Sequence, residues 1–507
     1  MNIPNRTLFV ADNLRVMRGI DSESIDLIAT DPPFNSKRSF NAPLGSKAAE
    51  QKFDDRWRWD EVTDEWHDVI AADHPAIKEL IEAAAVIEGG TVSSSGKVET
   101  GVTDSIAAFL AWMAPRVVEM HRVLKPTGSF YLHCDDAANS YLRLLLDGIF
   151  GKNRFRNEIV WQRTEGKGLN PTKYVRNCDR LLYYTKGGKP TWNQQYDPFD
   201  SSYGSDWRQD ERGPWDAADL TGGKAGSVEA YKPFNGVIPS PGRAWAPPPR
   251  DKFPPNSGLP DDYETLDALS KCEALDAAGL IHWPNKKNGI PRYKKYLSTL
   301  RGKYASDLIT NVPPVSSHSE ERTGWRTQKP LALYSRIIKA SSNIGDLVLD
   351  PFAGCATTCV AAEQLQRRWI GIDIDPIAEN VTKDRLQSET GLFEQDGNPV
   401  TVRKNPPKRT DIPIVSDDKL RLALWNNQAH RCGNPYCDAL ELRVVDLHLD
   451  HRIPKSRGGE DGILNRVGLC QNCNNRKGTK AWGVFLNEER AKQPHPSGPL
   501  GVSIHKN

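Results

Sequence analysis

The chain has 507 residues, 26% of them charged, with 67 Lys and Arg against 65 Asp and Glu for a formal charge of +2. That length calls for more than one domain, and no apolar run is long enough to span a bilayer, which excludes a helical membrane protein. The opening MNIPNRTLFV lacks the layout of a signal peptide, so a cytoplasmic protein is expected, and its nine cysteines should be reduced thiols rather than a disulfide framework.

In chain order, TLFVADN and IDLIATDPPF read as strand, short helix, strand. Residues 106–123 carry apolar side chains at helical spacing. GSFYLHC (128–134) reads as a core strand, and residues 141–150 as an amphipathic helix. Far downstream, GDLVLDPFAG and RRWIGIDID supply two further apolar strands with a helix, 357–365, between them. Strands alternating with helices imply a mostly parallel α/β sheet.

Two regions break the alternation. Residues 36–104 hold aromatics among acids and a Gly/Ser stretch, as an insertion would. Residues 163–326 are rich in Pro, Gly, Trp and Tyr. Within the latter, seven basic residues and no acids lie between Asp276 and Asp307, interleaved with Trp283, Tyr293, Tyr296 and Tyr304. Such a segment is either a solvated basic helix or a surface for phosphates and stacked bases; Lys294, Lys295 and Arg301 are the DNA contacts expected on the second reading. The proline-rich VRKNPPKRTDIP reads as a linker into a basic C-terminal piece, with 18 basic against 11 acidic residues beyond position 400.

Two carboxylates stand out at strand ends. LDPFAGCATT (349–358) is a glycine-containing turn from strand to helix, which brings backbone N–H groups close to a ligand. About 20 residues on, Asp373 ends the next strand, where an acid can take both hydroxyls of a ribose. The spacing suggests a nucleoside-containing cofactor.

Together, TDPPF (30–34), RTQKP (326–330), LDPFAG (349–354) and RRWIGIDID (367–375) resemble the S-adenosylmethionine-dependent amino-group DNA methyltransferases. The catalytic tetrapeptide precedes the cofactor motif, the permuted order of that family's beta class. The resemblance covers roughly residues 1–160 and 326–392. It implies a doubly wound, mostly parallel Rossmann-like α/β sheet with an inserted target-recognition region. It also implies that Asp12 meets the adenine end of the cofactor and Asp373 its ribose. Thr327, Gln328 and Lys329 would lie near the methionine carboxylate, and Asp350, Phe352 and Gly354 would complete the cofactor floor. One departure is Ala356, where the family commonly has a second glycine.

The same resemblance gives DPPF a chemical role. An exocyclic base amine is a poor nucleophile because its lone pair is delocalised into the ring. Asp31 and the Pro32 carbonyl would each accept an amine hydrogen, Pro33 would stiffen the turn, and Phe34 would stack on the base. Adenine N6 is favoured over cytosine N4.

At residues 431–482, RCGNPYC and LCQNC offer Cys432, Cys437, Cys470 and Cys473 as a tetrahedral zinc set. Asp450-His451 lies between the pairs and Asn474 follows them, an arrangement that resembles the HNH nucleases of the ββα-metal type. By that resemblance His451 is the general base, Asp450 and Asn474 hold a divalent cation (Mg2+ or Mn2+), and Asn465 ties down the loop carrying the base. Lys455, Arg457, Arg476 and Lys477 would contact phosphates. A zinc module that only grips DNA is the alternative. The expected organisation is a methyltransferase catalytic half (1–162), a recognition region (163–326), a cofactor half (327–394), a linker (395–418), a small zinc-stapled HNH domain (419–490) and a tail (491–507). Double-stranded DNA is the expected partner and no membrane is; oligomeric state, a homodimer included, is left open.

Overall fold

The computed structural model describes residues 2–34, 39–42, 46, 48, 52–59, 74–92, 98–102, 105–164, 172, 174–223, 227–286, 288–316, 318–390, 400–412, 415–439, 441–457, 459, 461–462 and 465–493. The principal sheet contains nine strands: β1 (Thr7–Val10), β2 (Ile25–Thr30), β3 (Leu124–Cys134), β4 (Phe155–Gln162), β5 (Cys178–Thr185), β6 (Leu308–Ile309), β7 (Leu347–Asp350), β8 (Arg368–Asp373) and β9 (Thr401–Arg403). Their spatial order is β6-β4-β5-β3-β2-β7-β8-β1-β9. Only β5 runs against the others.

Alternating side chains explain why helices cover both faces. Phe130 and Leu132 of β3 enter one core while Tyr131 enters the other; Leu347 and Leu349 of β7 part from Val348 in the same way. One face is covered by α1 (Asn13–Arg18), α2 (Pro75–Ile87), α3 (Ile106–Val123) and α4 (Asn139–Phe150), and the other by α5 (Leu331–Ser341), α6 (Thr357–Gln364) and α7 (Ile377–Thr390). The start of α3 is held electrostatically. The Ser105 hydroxyl accepts from the Ala108 N–H at 3.2 Å, and the Glu88 carboxylate accepts from the Ile106 N–H at 2.8 Å.

Chain contacts separate a second compact unit, residues 194–306. It holds an antiparallel sheet in the order Arg208–Asp210, Gly213–Asp219, Arg292–Tyr296, Ile281–His282, around a core with Trp215, Tyr263 and Tyr296. The expected recognition region is therefore wider than this unit, because its two ends supply β5 and β6 to the main sheet. The basic segment is a strand, not a solvated helix: residues 292–296 pair with 215–219.

The expected linker also differs. Its residues 401–403 form β9 against β1, and the following stretch is fastened down. Thr410 donates to Asp21 through N–H (2.6 Å) and hydroxyl (2.8 Å), and the Asn2 amide donates to the Lys408 carbonyl at 2.6 Å. A proline-rich composition signals that residues will not continue a helix, but it does not reveal a groove that accepts them. Gly19 makes that groove, since a Cβ there would run into the Pro407 carbonyl.

The C-terminal portion has a helix, Asp417–Asn427, then an antiparallel hairpin of His448–His451 with Arg466–Leu469, then helices Gln471–Lys477 and Trp482–Ala491. Among the described residues no helix is long and apolar enough to cross a membrane.

Gly19→Ala is expected to lift residues 404–411 and cost about 1–3 kcal/mol, the usual penalty of overpacking. Denaturant melts, with limited proteolysis at this segment, check it; unchanged stability and protection would refute the groove.

Candidate active site

Parallel strands put their carboxyl ends on one edge, and four neighbours there, β2, β7, β8 and β1, each end at or just before an aspartate: Asp31, Asp350, Asp373 and Asp12. Along that edge lies a cavity of about 360 Å3, lined by all four, by Pro32, Pro33 and Phe34, and by Thr327, Gln328, Lys329, Phe352 and Gly354. The edge is where open α/β sheets bind ligands.

Asp350 organises the turn instead of facing a ligand. Its Oδ1 accepts from the Thr30 hydroxyl at 2.7 Å and from the Phe352 N–H at 3.1 Å, tying β2 to the DPFAG loop. Burial pushes its carboxyl up to about 6 against those hydrogen bonds.

Asp373 accepts from the Gly354 N–H at 2.7 Å and the Asp375 N–H at 2.8 Å, and burial pushes it up to about 6 as well. Gly354 has φ +51°, and a Cβ there would meet the Trp325 indole nitrogen at 3.2 Å, so glycine both permits the turn and lets Trp325 lie close against it at the cavity wall. Ala356 adopts the left-handed conformation, φ +60°, at the start of α6, which explains why a glycine suits that position.

Asp12 is spoken for. One oxygen caps α1 by accepting from the Arg15 N–H at 2.9 Å, and the other pairs with Arg116 at 3.1 Å. Asn13 beside it is committed as well, bridging the Arg116 guanidinium (2.9 Å) and the Pro351 carbonyl (2.8 Å). Gln328 is likewise committed, its amide bonded to Thr323 and to the Glu321 carbonyl. Thr327 lines the cavity, and its carbonyl lies 3.3 Å from the Lys329 ammonium.

Lys329 lines the cavity and has a partner there that the motif did not reveal. Its Nζ lies 2.6 Å from Asp31 Oδ2 and 5.0 Å from the Phe34 ring centre. With no ligand anion beside it, the ammonium goes to the nearest carboxylate. Asp31 Oδ1 is buried and has no partner among the described residues.

Several neighbours escaped the sequence reading. Phe34 stacks on His133 at 5.7 Å and 17°, and the His133 Nε2 lies 3.2 Å from Asp179, which also pairs with Arg163 at 3.0 Å. Burial, then the Lys329 charge, hold His133 below the ordinary histidine range. The Phe34 N–H donates to Asp55 at 3.3 Å; Trp57 packs on Trp112 at 4.3 Å, and Trp112 on Phe352 at 5.6 Å. The only signals for these were the aromatic-acidic run at 54–60 and the Trp112/Arg116 spacing of four on α3.

In the C-terminal portion the four cysteine sulfurs lie within 4.8 Å of one another. The Cys437–Cys470 separation of 3.7 Å matches the edge of a tetrahedron with metal–sulfur bonds of about 2.3 Å, roughly 3.8 Å. The Cys470 N–H donates to Cys432 Sγ at 3.4 Å and the Asn434 amide to Cys473 Sγ at 3.3 Å, as donors around thiolates do. The cluster can hold a metal.

Beside it, Asn465 accepts from the Ile453 N–H at 2.7 Å and donates to the Ile453 carbonyl at 3.0 Å, two residues after His451. His451 Nε2 meets Asp461 at 2.8 Å and Arg466 at 2.7 Å. Burial holds the imidazole below its ordinary value, against the pull of Asp461. Asp450 Oδ1 accepts from the His451 N–H at 2.7 Å, while Oδ2 pairs with Lys477 at 3.0 Å. Lys477 is buried in that pair, which removes it from the phosphate contacts. Lys455 is exposed and 2.9 Å from Asp461; Asn474 sits on the helix of Lys477; the Arg457 side chain lies outside the described residues.

In the second unit, Lys294 is paired with Asp210 at 2.9 Å and lies 5.0 Å from the Trp215 ring, so it braces the sheet rather than reaching for a phosphate. Lys295 lies 5.3 Å from the Trp207 ring, and Arg301 is exposed.

Fold and site together define an α/β enzyme that binds its ligand at the carboxyl edge and carries a cysteine-stapled appendage. The chain belongs to the DNA methylase family, whose pattern matches residues 25–384, and the HNH endonuclease pattern matches residues 431–480. It is 30% identical over 345 residues to the type II methyltransferase M.EcaI of Enterobacter cloacae, covering 67% of this chain and 68% of that one. With the DNA adenine methyltransferase YhdJ of Escherichia coli K12 it shares 23% identity over 416 residues, 82% of this chain and 94% of that one. The cytosine-N4-specific PvuII DNA methyltransferase aligns structurally over 79% of this chain and 96% of its own, at 12% identity and a TM-score of 0.36. The chain spans about half of two other relatives, the type III StyLTI Mod subunit of Salmonella typhimurium (54%) and M.BamHI of Bacillus amyloliquefaciens (49%).

Freshly purified protein is expected to contain one tightly held metal per chain. Cys470→Ser should release it and melt the C-terminal portion while the main sheet persists, read by metal analysis and by calorimetric melting in two steps. A metal-free protein with an intact C-terminal melt would refute the site.

Proposed function

We propose that this protein methylates the exocyclic amine of a base, adenine N6, at specific sites in double-stranded DNA, using S-adenosylmethionine, and that its HNH domain cuts DNA, pairing restriction with modification in one chain. The observation that carries the methylation reading is Asp31: a half-buried carboxylate with one oxygen held by Lys329 and the other, buried, without a partner among the described residues, in a cavity also lined by Asp373 and Gly354. S-adenosylmethionine, when bound, supplies a methyl group on a sulfonium that a nitrogen lone pair can take. Asp373 would receive its ribose hydroxyls, and the cavity wall of Gly354 and Trp325 would face its body.

The chain's own part is to make the amine nucleophilic. Asp31 Oδ1 accepts one amine hydrogen and the Pro32 carbonyl the other, which draws the lone pair out of the ring and onto nitrogen. Pro33 and the Asp55 bond to the Phe34 N–H fix the turn, so these acceptors need no reorganisation as charge develops. Phe34, backed by His133, offers a stacking face to a base that leaves the duplex at a cost of a few kcal/mol. Adenine is preferred because a relative that aligns over 94% of its own length is a DNA adenine methyltransferase.

For the nuclease, His451 is the general base, kept neutral by burial, and Cys432, Cys437, Cys470 and Cys473 take Zn2+ as a staple. Asp450 and Asn474 are the oxygen donors for Mg2+ or Mn2+; Lys477 now neutralises Asp450 and has to yield it. A cytoplasmic site of action follows from a DNA substrate.

The reading is tested by sequencing, with modification detection, the DNA of cells that express the protein: a methylated adenine in a defined sequence is expected. Asp31→Ala should cut methyl transfer on the order of 100-fold or more and leave cofactor binding nearly intact.

Asp373 gives a pH signature. Its carboxyl is raised from 3.8 to about 6, so the stability it contributes to the ligand-free protein is present below pH 4 and lost as pH rises through 6. Ribose hydroxyls bond best to the ionised form, so cofactor affinity should rise roughly tenfold from pH 5 to 7, with proton release. Asp373→Asn should weaken binding and flatten this slope. A slope that persists in Asp373→Asn would assign it to Asp350, raised into the same window.

His451→Ala should abolish cleavage of unmethylated plasmid in Mg2+ or Mn2+ and retain methylation. Wild-type protein should spare the methylated plasmid. Equal cutting of both would remove the restriction–modification pairing, and no cutting in either metal would leave a module that only grips DNA.

A further inference from the structure

A base entering this corner needs two contacts: its amine against Asp31 and its ring against Phe34. Lys329 lies against both groups, on Asp31 Oδ2 beside the buried Oδ1 that the amine would use, and against the Phe34 ring. Its ammonium lies 2.6 Å from Asp31 Oδ2 and 5.0 Å from the Phe34 ring centre, while its side chain is 10% exposed. His133 is stacked against the same ring. A base therefore has to displace the lysine before it can stack beside Asp31.

The lysine cannot simply be expelled. Breaking a buried ion pair without a replacement leaves an uncompensated charge, which is strongly unfavourable. Exchanging one carboxylate for another is close to balanced. The amino-acid carboxylate of S-adenosylmethionine is the one anion that ligand brings to the cavity. Thr327 and Lys329, two residues apart, line that cavity together with Gly354 and Asp373.

We infer that Lys329 is a place-holder for the target base, and that the carboxylate of the bound cofactor draws its ammonium off Asp31, so the base seat opens only once the cofactor has bound. The inference rests on the methyltransferase reading. Lys329 acts through Asp31 and is a positioning residue: it keeps the carboxylate paired while the seat is empty and yields it when the amine can take over. By linkage, the cofactor and the flipped base then raise each other's affinity by the same factor.

The test uses the whole protein with two nucleosides, S-adenosylhomocysteine, which has the carboxylate, and 5′-methylthioadenosine, which lacks it. Calorimetry gives the affinity of each for wild type, Lys329→Met and Lys329→Arg. Base opening is read on a duplex carrying the site found by sequencing, with 2-aminopurine at the target adenine, whose fluorescence rises when it leaves the stack. In wild type, S-adenosylhomocysteine should raise the fluorescence roughly fivefold or more, a typical coupling, while 5′-methylthioadenosine should not. Lys329→Met should open the base with no nucleoside present. It should also lose about tenfold in affinity for S-adenosylhomocysteine, a typical coupling factor, and little for 5′-methylthioadenosine, whose retained binding shows that the variant is folded. Lys329→Arg, which keeps the charge, should restore the dependence on S-adenosylhomocysteine.

Equal opening of the wild-type duplex with and without the carboxylate-bearing nucleoside would overturn the inference, as would Lys329→Met that still needs it. If wild type binds neither nucleoside, the methyltransferase reading falls and takes this inference with it. Binding without coupling overturns the inference alone.

Discussion

Four parallel neighbours that all end in carboxylates set the terms for the rest of the molecule. Parallel pairing of β2, β7, β8 and β1 brings Asp31, Asp350, Asp373 and Asp12 to one edge of the sheet, around one cavity, where their charges repel and two of them are desolvated. Each has to be compensated. Asp12 takes a helix N-terminus and Arg116; Asp350 takes a hydroxyl and a backbone N–H; Asp373 takes two backbone N–H groups. The last two are still raised to about 6. Asp31 has Lys329 on one oxygen and, among the described residues, no partner on the other. Chemistry gathers at the carboxylate whose compensation is incomplete.

The appendage solves a different problem. A hairpin of four-residue strands with short helices buries little apolar surface, and its core is largely Val467, Leu469, Trp482, Phe485 and the cysteines themselves. The four sulfurs can gather a metal that would add to this small core, and the helix Gln471–Lys477 begins on one of those cysteines, Cys470. That helix also brings Lys477 to Asp450. The cysteine cluster and the proposed cutting site therefore share one short helix.

What the sequence made legible was local. An apolar run that stops on an aspartate, as in IDLIATDPPF or GDLVLDPFAG, reveals strand, edge and chemistry within ten residues, and all four motifs reached the cavity. The cysteine spacing was legible for the same reason. Partners remote along the chain were not. Lys329 lies 298 residues from Asp31, and Lys294 lies 84 from Asp210. His133 read as the end of a core strand because its Asp179 partner belongs to the one reversed strand, which the periodicity did not reveal. The linker was misjudged because its grip on Asp21 and Asn2 is a property of the amino-terminal residues.

One pattern recurs and has a single physical origin. Lys329, Lys294 and Lys477 were each expected to meet a ligand, and without one each is paired with an aspartate of this chain. With 67 basic residues against 65 acidic ones, most cations have an internal anion within reach, and a buried one will take it. Removing such a lysine weakens any ligand by loosening the aspartate it held, which mimics a lost contact. The two causes separate by salt. A lost phosphate contact lowers the slope of DNA affinity against salt concentration, because one fewer counterion is released, whereas a loosened ion pair inside the fold lowers affinity and leaves that slope unchanged. DNA contacts are therefore better sought at residues such as the exposed Arg301 than at the lysines that stabilise the aspartates.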